Sequence, residues 1–143
     1  MKILCTICAR AGSKGVANKN LRLINGLPLI AYSLRQAVES KLFSQIAVSS
    51  DSPEIRDTAL AHGATFVVDR PVEMASDTAP KLPAIRHCVE TTEKEFGQFD
   101  IIIDLDATAP LRIAADIIGA LEREIQVNVD MYKAQAALVS MRD

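Results

Sequence analysis

The sequence predicts an α/β fold in which helices cover both faces of a mainly parallel sheet. Apolar runs of strand length alternate along the chain with segments of helical spacing that are roughly ten residues or longer. The first run, residues 2–8, is apolar without polar alternation, as expected for a strand that is buried on both faces. Such an order implies βαβ units with right-handed crossovers.

Four strands and four helices follow from this pattern. The strands are predicted at residues 2–8, 45–50, 65–68 and 99–105. The helices are predicted to begin at Pro28, at Pro53 after a Ser52 cap, at Lys81 and at Ile113. The apolar pattern of the first helix continues to Val38, the second helix ends at Gly63, and the third and fourth extend to residues 95 and 125. Residues 136–141 could start a fifth strand.

Length and composition limit the class of protein. The chain has 143 residues, 49% of them hydrophobic and 24% charged, which predicts one globular domain rather than disorder. A net charge of −2 gives no general attraction to nucleic acid or to anionic membranes. Because no apolar run has the length of a membrane span and the N-terminus does not resemble a signal peptide, we predict no membrane partner and a cytoplasmic location.

The three cysteines are predicted to be buried core residues. Cys5 and Cys8 lie three residues apart in the first strand, where side chains at that spacing point to opposite faces. They are therefore poorly placed to share a metal ion or a disulfide. Cys88 falls on a helical pattern and is also expected in the core.

Residues 9–22 form a basic loop directly after the first strand. The loop contains two glycines, four cations, one serine and no acid: Gly12, Gly15, Arg10, Lys14, Lys19, Arg22 and Ser13. A flexible loop that exposes backbone N–H groups and collects positive charge at the end of a strand predicts a polyphosphate site. An ordinary turn is the alternative, but clustered cations without acids repel one another. The loop is neither a P-loop nor a dinucleotide fingerprint, because both glycine spacings are absent.

Polar clusters also follow the other predicted strands. The second strand runs into Asp51, the third into Arg70 and Asp77, and the fourth carries Asp104 and Asp106 at its end. Since the carboxyl ends of parallel strands meet at one edge of the sheet, these residues predict an active site there.

The residue types suit phosphoryl or nucleotidyl transfer, which needs positioning and charge neutralisation above all. Arg10, Lys14 and Lys19 can offset the charge of a triphosphate, and Arg70 can grip a phosphate from the opposite wall. Mg²⁺ requires hard oxygen ligands, and of Asp104 and Asp106 we favour Asp106 because it lies nearer the loop.

Four further residues near these clusters have open or supporting roles. Asp77 either caps the following helix or serves the site, and the two roles are compatible. Asp51 and Glu73 are predicted either to be structural or to support the site without contacting the ligand. Lys81 at a helix start opposes the macrodipole, which hints at a ligand partner.

Five ordered blocks of the sequence carry a resemblance to a known family. They are Ile7-Cys8-Ala9-Arg10-Ala11-Gly12-Ser13-Lys14-Gly15 with Asn18-Lys19-Asn20, Gly26-x-Pro28-Leu29-Ile30-Ala31-Tyr32-Ser33, Val48-Ser49-Ser50-Asp51, Arg70-Pro71-x-Glu73-Met74-Ala75-x-Asp77-Thr78, and Leu105-Asp106-Ala107-Thr108-Ala109-Pro110-Leu111-Arg112. Together they resemble the acylneuraminate cytidylyltransferases, or CMP-sialic acid synthetases. The Asp-Ala-Thr form of the last block is similar to the branch that handles bacterial nonulosonic acids such as legionaminic acid.

The resemblance implies a Rossmann-like, three-layer αβα nucleotidyltransferase. It would join CTP to the anomeric hydroxyl of a nine-carbon 2-keto sugar acid with Mg²⁺ and release pyrophosphate. Arg10, Ser13, Lys19 and Asn20 match phosphate and nucleotide contacts of the family. Arg70 and residues 79–81, which include Ala79 and Lys81, match positions around the cytidine. Asp106 matches a position near the reacting groups, where other branches have glutamine.

Family members are considerably longer than this chain. We therefore expect residues 1–143 to represent a single nucleotide-binding domain that is truncated at its C-terminus. In the family, the missing part normally holds a second acidic pair for metal, the sugar-recognition residues and the dimerisation region. A homodimer is therefore possible, although the region that usually forms the dimer is missing from this chain. Three alternatives stay open: a nucleotide-binding remnant without turnover, a cytidylyltransferase for another acid such as Kdo, and a transferase that prefers another base.

Overall fold

The computed structural model describes residues 1–13, 16–76, 79–107 and residue 119. Its strands are β1 (Ile3–Cys8), β2 (Gly12–Ser13), β3 (Val16–Ala17), β4 (Leu23–Ile24), β5 (Leu27–Pro28), β6 (Gln45–Ser50), β7 (Phe66–Asp69) and β8 (Ile101–Asp106). Its helices are α1 (Leu29–Ser40), α2 (Pro53–Ala61) and α3 (Lys81–Phe96). Short 3₁₀ turns occupy Lys19–Leu21 and Val72–Met74. The predicted helix at 113–125 and the predicted strand at 136–141 lie outside the described residues.

The main sheet confirms the predicted parallel arrangement. Its strand order is β7-β6-β1-β8, and every neighbouring pair is parallel. Two small antiparallel hairpins, β2–β3 and β4–β5, lie in the segment that connects β1 to α1. The sequence predicts no strands in this segment, because two-residue strands are too short to show an alternating pattern.

Helices cover both faces of the sheet, which gives the predicted three layers. On one face, α1 and α2 pack against a cluster that includes Cys5, Ile7 and Val48. On the other face, α3 packs against Leu4, Ala47 and further residues of the strands. Successive residues of β1 thus enter opposite cores, as expected for a strand buried on both sides.

The helix boundaries follow from local sequence signals. Ser52 caps α2, and its hydroxyl accepts a hydrogen bond from the Ile55 N–H at 3.3 Å, with Pro53 at the first helical position. Gly63, in the left-handed region at φ 117°, follows the end of this helix. Pro28 lies one residue before α1, at the end of β5, rather than inside the first turn as predicted.

Cys5 and Cys88 are buried in the core as predicted, whereas Cys8 is only partly buried because it lies at the end of β1. Cys5 packs in the α1–α2 core, whereas Cys8 contacts the α3 core, in which Cys88 is buried. Contact with the Cys8 thiol and burial both raise the pKa of Cys88, which keeps it protonated and unreactive.

The strand order creates a crevice at the carboxyl end of β1. The connection through α1 leads from β1 to β6 on one side, while β8 returns to the other side of β1. In open α/β sheets, ligands bind where the chain leaves neighbouring strands in opposite directions. None of the helices that the structure describes is both long and apolar enough to cross a bilayer.

Candidate active site

A cavity of about 340 Å³ lies at this carboxyl edge of the sheet. Its walls come from the ends of β1 and β8, the first 3₁₀ turn, the segment after β7 and the start of α3. The lining residues are Cys8, Ala9, Arg10, Lys19, Asn20, Arg70, Ser76, Ala79, Lys81, Asp106 and Ala107. Five separate segments of the chain therefore bring predicted site residues to one place.

Four lining residues, Cys8, Ala9, Ser76 and Ala107, were not predicted as site residues, and Ala9 is the first residue of the predicted basic loop. Cys8 was assigned to the core alone, and Ala107 was given no role, although β1 and β8 pair so that Cys8 lies opposite Asp106. Only the strand register brings this pair together. Ser76 lies in the polar cluster after β7, and that cluster was the signal that could have identified it.

Other predicted site residues do not line the cavity in the described structure. Gly12 lies in β2, its φ is not in the left-handed region, and a Cβ there would meet no atom within 4 Å. The conformational freedom of glycine is thus not required at Gly12. Lys14, Gly15 and Asp77, together with the side chain of Ser13, lie outside the described residues.

The first residues of the basic loop are held by hydrogen bonds from the first 3₁₀ turn and from the end of β6. The Asn20 side chain donates from Nδ2 to the Arg10 carbonyl at 3.2 Å. Asp51 Oδ1 accepts the Ala11 N–H at 2.8 Å, and the Ala9 N–H donates to the Ser49 carbonyl at 2.9 Å. The backbone at Arg10 is therefore fixed from both sides.

Two buried polar atoms in the cavity wall lack partners among the described residues. Asn20 and Arg70 are only 5% and 6% exposed, and Asn20 Oδ1 and Arg70 Nε have no hydrogen-bond partner there. A buried polar group without a partner costs about 1–3 kcal/mol. One acceptor and one donor are thus available to a ligand that carries both kinds of group.

Lys81 has an acidic protein partner, which accounts for a cation at the start of α3. Its Nζ lies 3.2 Å from Asp104 Oδ2, and the Thr6 hydroxyl donates to Asp104 Oδ1 at 2.8 Å. The hint that Lys81 needs a ligand is therefore met at least in part by the protein itself. Asp106, two residues further along β8, is the exposed carboxylate of the pair and lines the cavity.

Burial raises the pKa of Asp104, although the Thr6 hydrogen bond and the charge of Lys81 act in the opposite direction. The folded state therefore holds the Asp104 proton more tightly than the unfolded state does. It follows that the free energy of unfolding falls as pH rises from the ordinary aspartate pKa through the raised value.

Asp104→Asn is expected to remove this fall, so that the variant gains stability relative to the parent as pH rises from the ordinary aspartate pKa through the raised pKa of Asp104. Urea unfolding at several pH values measures the effect. Asp57→Asn, at an exposed position of α2, is the control. Parallel pH profiles for the parent and Asp104→Asn would contradict the prediction.

Comparison with known proteins identifies the family. Residues 4–141 match the family model described as cytidylyltransferase. The chain belongs to the cytidylyltransferase family. The resemblance predicted from the five sequence blocks is thereby confirmed.

Two curated relatives from Campylobacter are similar over most of this chain. The post-translational flagellin modification protein B of Campylobacter coli is 56% identical over 122 residues, which is 85% of this chain and 52% of that relative. The CMP-N,N'-diacetyllegionaminic acid synthase of Campylobacter jejuni is 51% identical over 110 residues, 76% of this chain and 47% of that relative. The chain thus spans about half the length of these relatives.

A solved cytidylyltransferase-type structure shares the fold. The CMP:2-keto-3-deoxy-manno-octonic acid synthetase in complex with CTP superposes with a TM-score of 0.62, covering 96% of this chain and 50% of that one. The sequence identity is 21%, so this likeness concerns the α/β architecture alone.

Proposed function

We propose that this chain forms the nucleotide-binding half of a cytidylyltransferase that transfers CMP from CTP to a nonulosonic acid. The observation that carries the proposal is the convergence of Arg10, Lys19, Arg70 and Lys81 with the carboxylate of Asp106 on one cavity. This charge pattern suits a nucleoside triphosphate, which presents its anionic tail and its uncharged base and ribose together.

The reaction needs little covalent chemistry from the protein. The anomeric oxygen of the sugar acid attacks the α-phosphorus, the bond to the bridging oxygen of the β-phosphate breaks, and pyrophosphate leaves. The hydroxyl proton is lost to solvent or to a base. Arg10 and Lys19 line the cavity, where fixed cations stabilise the charge that accumulates on the leaving group.

Arg70 and Asn20 are suited to the nucleoside end of the ligand. Arg70 Nε is a buried donor and Asn20 Oδ1 a buried acceptor, each without a partner among the described residues. Cytidine offers one carbonyl oxygen and one ring nitrogen as base acceptors, together with amino and hydroxyl donors. Ala79 and Lys81 line the same cavity, in accord with the expectation that residues 79–81 lie around the cytidine.

Mg²⁺ fits this cavity through a single exposed carboxylate. Among residues 1–13, 16–76, 79–107 and 119, no group of three or more His, Cys, Asp or Glu side chains could hold a metal ion. Mg²⁺ commonly takes only one or two carboxylates and completes its shell with substrate phosphates and water. When bound, the ion would neutralise triphosphate charge, and Asp106 is the residue that we assign to it.

Asp106→Asn tests this assignment. We expect the Mg²⁺ concentration for half-maximal CTP binding to rise by at least about tenfold, the loss that even supporting residues of a metal site cause. Calorimetric CTP titrations over a Mg²⁺ series measure it, with Glu95→Gln at an exposed position near the end of α3 as control. An unchanged Mg²⁺ response would remove Asp106 from the ligand role.

The substrate class rests on the relatives, one of which is named as a legionaminic acid synthase. The direct test measures pyrophosphate release from CTP and Mg²⁺ with sialic, legionaminic and Kdo-type acids in turn. Release with a nine-carbon acid supports the proposal, whereas release with the Kdo-type acid alone would favour the alternative substrate. Competition among the four nucleoside triphosphates tests the preference for cytidine. The homodimer and the cytoplasmic location stay predictions.

Nucleotide binding without turnover is the second candidate, because the roles assigned above to the cavity residues all concern the nucleotide and its metal ion. It predicts that CTP raises the melting temperature while no pyrophosphate appears with any acid. A full-length relative assayed in parallel shows that the reagents support the reaction.

A further inference from the structure

We propose that Asp51 is a positioning residue that holds the Arg10–Ala11 peptide in the orientation that presents Arg10 to the triphosphate. The inference rests on the proposed function, because it assumes that the cavity binds CTP. It assigns to Asp51 a role in ligand binding that is exerted through the loop backbone rather than by contact with the ligand.

Both ends of this peptide group are held by side chains. On one edge, the Ala11 N–H donates to Asp51 Oδ1 at 2.8 Å. On the opposite edge, the Arg10 carbonyl accepts from Asn20 Nδ2 at 3.2 Å. A peptide unit is planar, so two hydrogen bonds on opposite edges fix its rotation. The plane of this peptide sets the direction in which the chain leaves Arg10.

The backbone of Asp51 lies between two regular elements, the end of β6 and the N-cap of α2. It follows β6 directly, and the next residue, Ser52, is both the cap of α2 and a donor from its backbone N–H to Ser50 Oγ at 3.1 Å. The strand end and the helix cap therefore fix the backbone on both sides of Asp51. Asp51 is therefore a fixed attachment point for the start of the basic loop at Ala11.

The charge of Asp51 argues against a direct role in binding the ligand. A carboxylate near a triphosphate repels it, so a purely Coulombic effect would make CTP binding tighter when Asp51 is neutralised. A clamp makes the opposite prediction, because loss of the acceptor frees the Arg10–Ala11 peptide to rotate. The peptide then loses this conformational freedom when CTP binds, and the entropic cost lowers the affinity for CTP. Removal of the Asp51 carboxylate should therefore tighten CTP binding if Asp51 acts only through its charge, and weaken CTP binding if Asp51 positions the peptide.

Three variants distinguish the positioning role of Asp51 from a purely Coulombic effect when CTP affinity is measured by calorimetry. Asp51→Ala removes the acceptor and is expected to weaken CTP binding by about tenfold, the effect of losing one charge-assisted hydrogen bond. Asp51→Asn keeps an acceptor oxygen but loses the charge, and should bind within about threefold of the parent. Asp57→Ala removes the same charge from an exposed position of α2 and should leave the affinity unchanged.

Amide hydrogen exchange at Ala11, measured by NMR without ligand, provides a second readout. The clamp predicts faster exchange in Asp51→Ala and nearly parental exchange in Asp51→Asn. If the alanine variant does not fold, Asp51→Glu replaces it, since it keeps the charge but displaces the acceptor and should also weaken CTP binding.

Equal or tighter binding of CTP by Asp51→Ala, or equal losses in the alanine and asparagine variants, would overturn the inference while leaving the proposed function intact. No binding of CTP by the parent protein would overturn the proposed function and the inference with it. Weakening in Asp51→Ala with recovery in Asp51→Asn supports the clamp.

Discussion

Alanine at Arg10 or at Lys19 is expected to lower turnover of CTP by roughly 10²–10³-fold, as when a fixed donor to a developing oxyanion is removed. Both residues line the cavity, and the backbone of Arg10 is held by Asn20. Because each variant removes one of the cations that line the cavity, the charge that develops on the leaving pyrophosphate is less well stabilised. Pyrophosphate release at saturating acid and Mg²⁺ measures the effect for each variant.

Lys94→Ala is the matched control for this pair. Lys94 is exposed in the last turn of α3, so its removal changes the net charge by the same amount without touching the cavity. Its turnover should equal that of the parent. Losses of less than about threefold in both Arg10→Ala and Lys19→Ala would show that the basic loop does not serve the triphosphate.

Arg70→Met should lower the affinity for CTP by about 100-fold, since two charge-assisted hydrogen bonds of a planar guanidinium are lost. The arginine is 6% exposed, and its Nε has no partner within the part of the chain that the structure describes. Arg70→Lys should not restore the affinity, because an ammonium on a flexible stem cannot reproduce the fork geometry. Calorimetric titration of both variants with CTP and Mg²⁺ provides the comparison.

Arg35→Met serves as the control for Arg70. Arg35 is exposed on α1, and the same substitution there changes charge and size without reaching the cavity. If Arg70→Met binds CTP with nearly the parental affinity, Arg70 does not contact the nucleotide. Full recovery in Arg70→Lys would instead indicate a simple charge effect.

The sheet and the described helices were predictable because their signals are local. Ile30, Leu34 and Ala37 recur at helical spacing, and all three are buried in the α1–α2 core. Ser52 followed by Pro53 predicted the start of α2 to the residue. The β7 strand and the β8 strand differ from the predicted 65–68 and 99–105 by one or two residues at each end, which is the usual uncertainty of strand limits.

Several features of the site were not predictable from the sequence. Lys81 and Asp104 lie more than twenty residues apart along the chain, yet α3 packs on the sheet so that their charged atoms are 3.2 Å apart. The Asp51 bond to the Ala11 N–H spans 40 residues. Such pairs depend on strand register and on how a helix sits against the sheet, and no local pattern encodes either.

The amino-acid sequence by itself determined the α/β class, the position of the basic loop and the family, because apolar periodicity, glycine and charge placement, and ordered motifs are properties of neighbouring residues. Only the tertiary structure decided which polar groups are already engaged: Asp104 with Lys81 and Thr6, and the Asn20 amide with Arg10. It also left Arg70 Nε and Asn20 Oδ1 in the cavity wall without partners among the described residues. The physical reason is that hydrogen bonding and burial depend on distances across the sheet, which arise only when the strands pair and the helices pack against them.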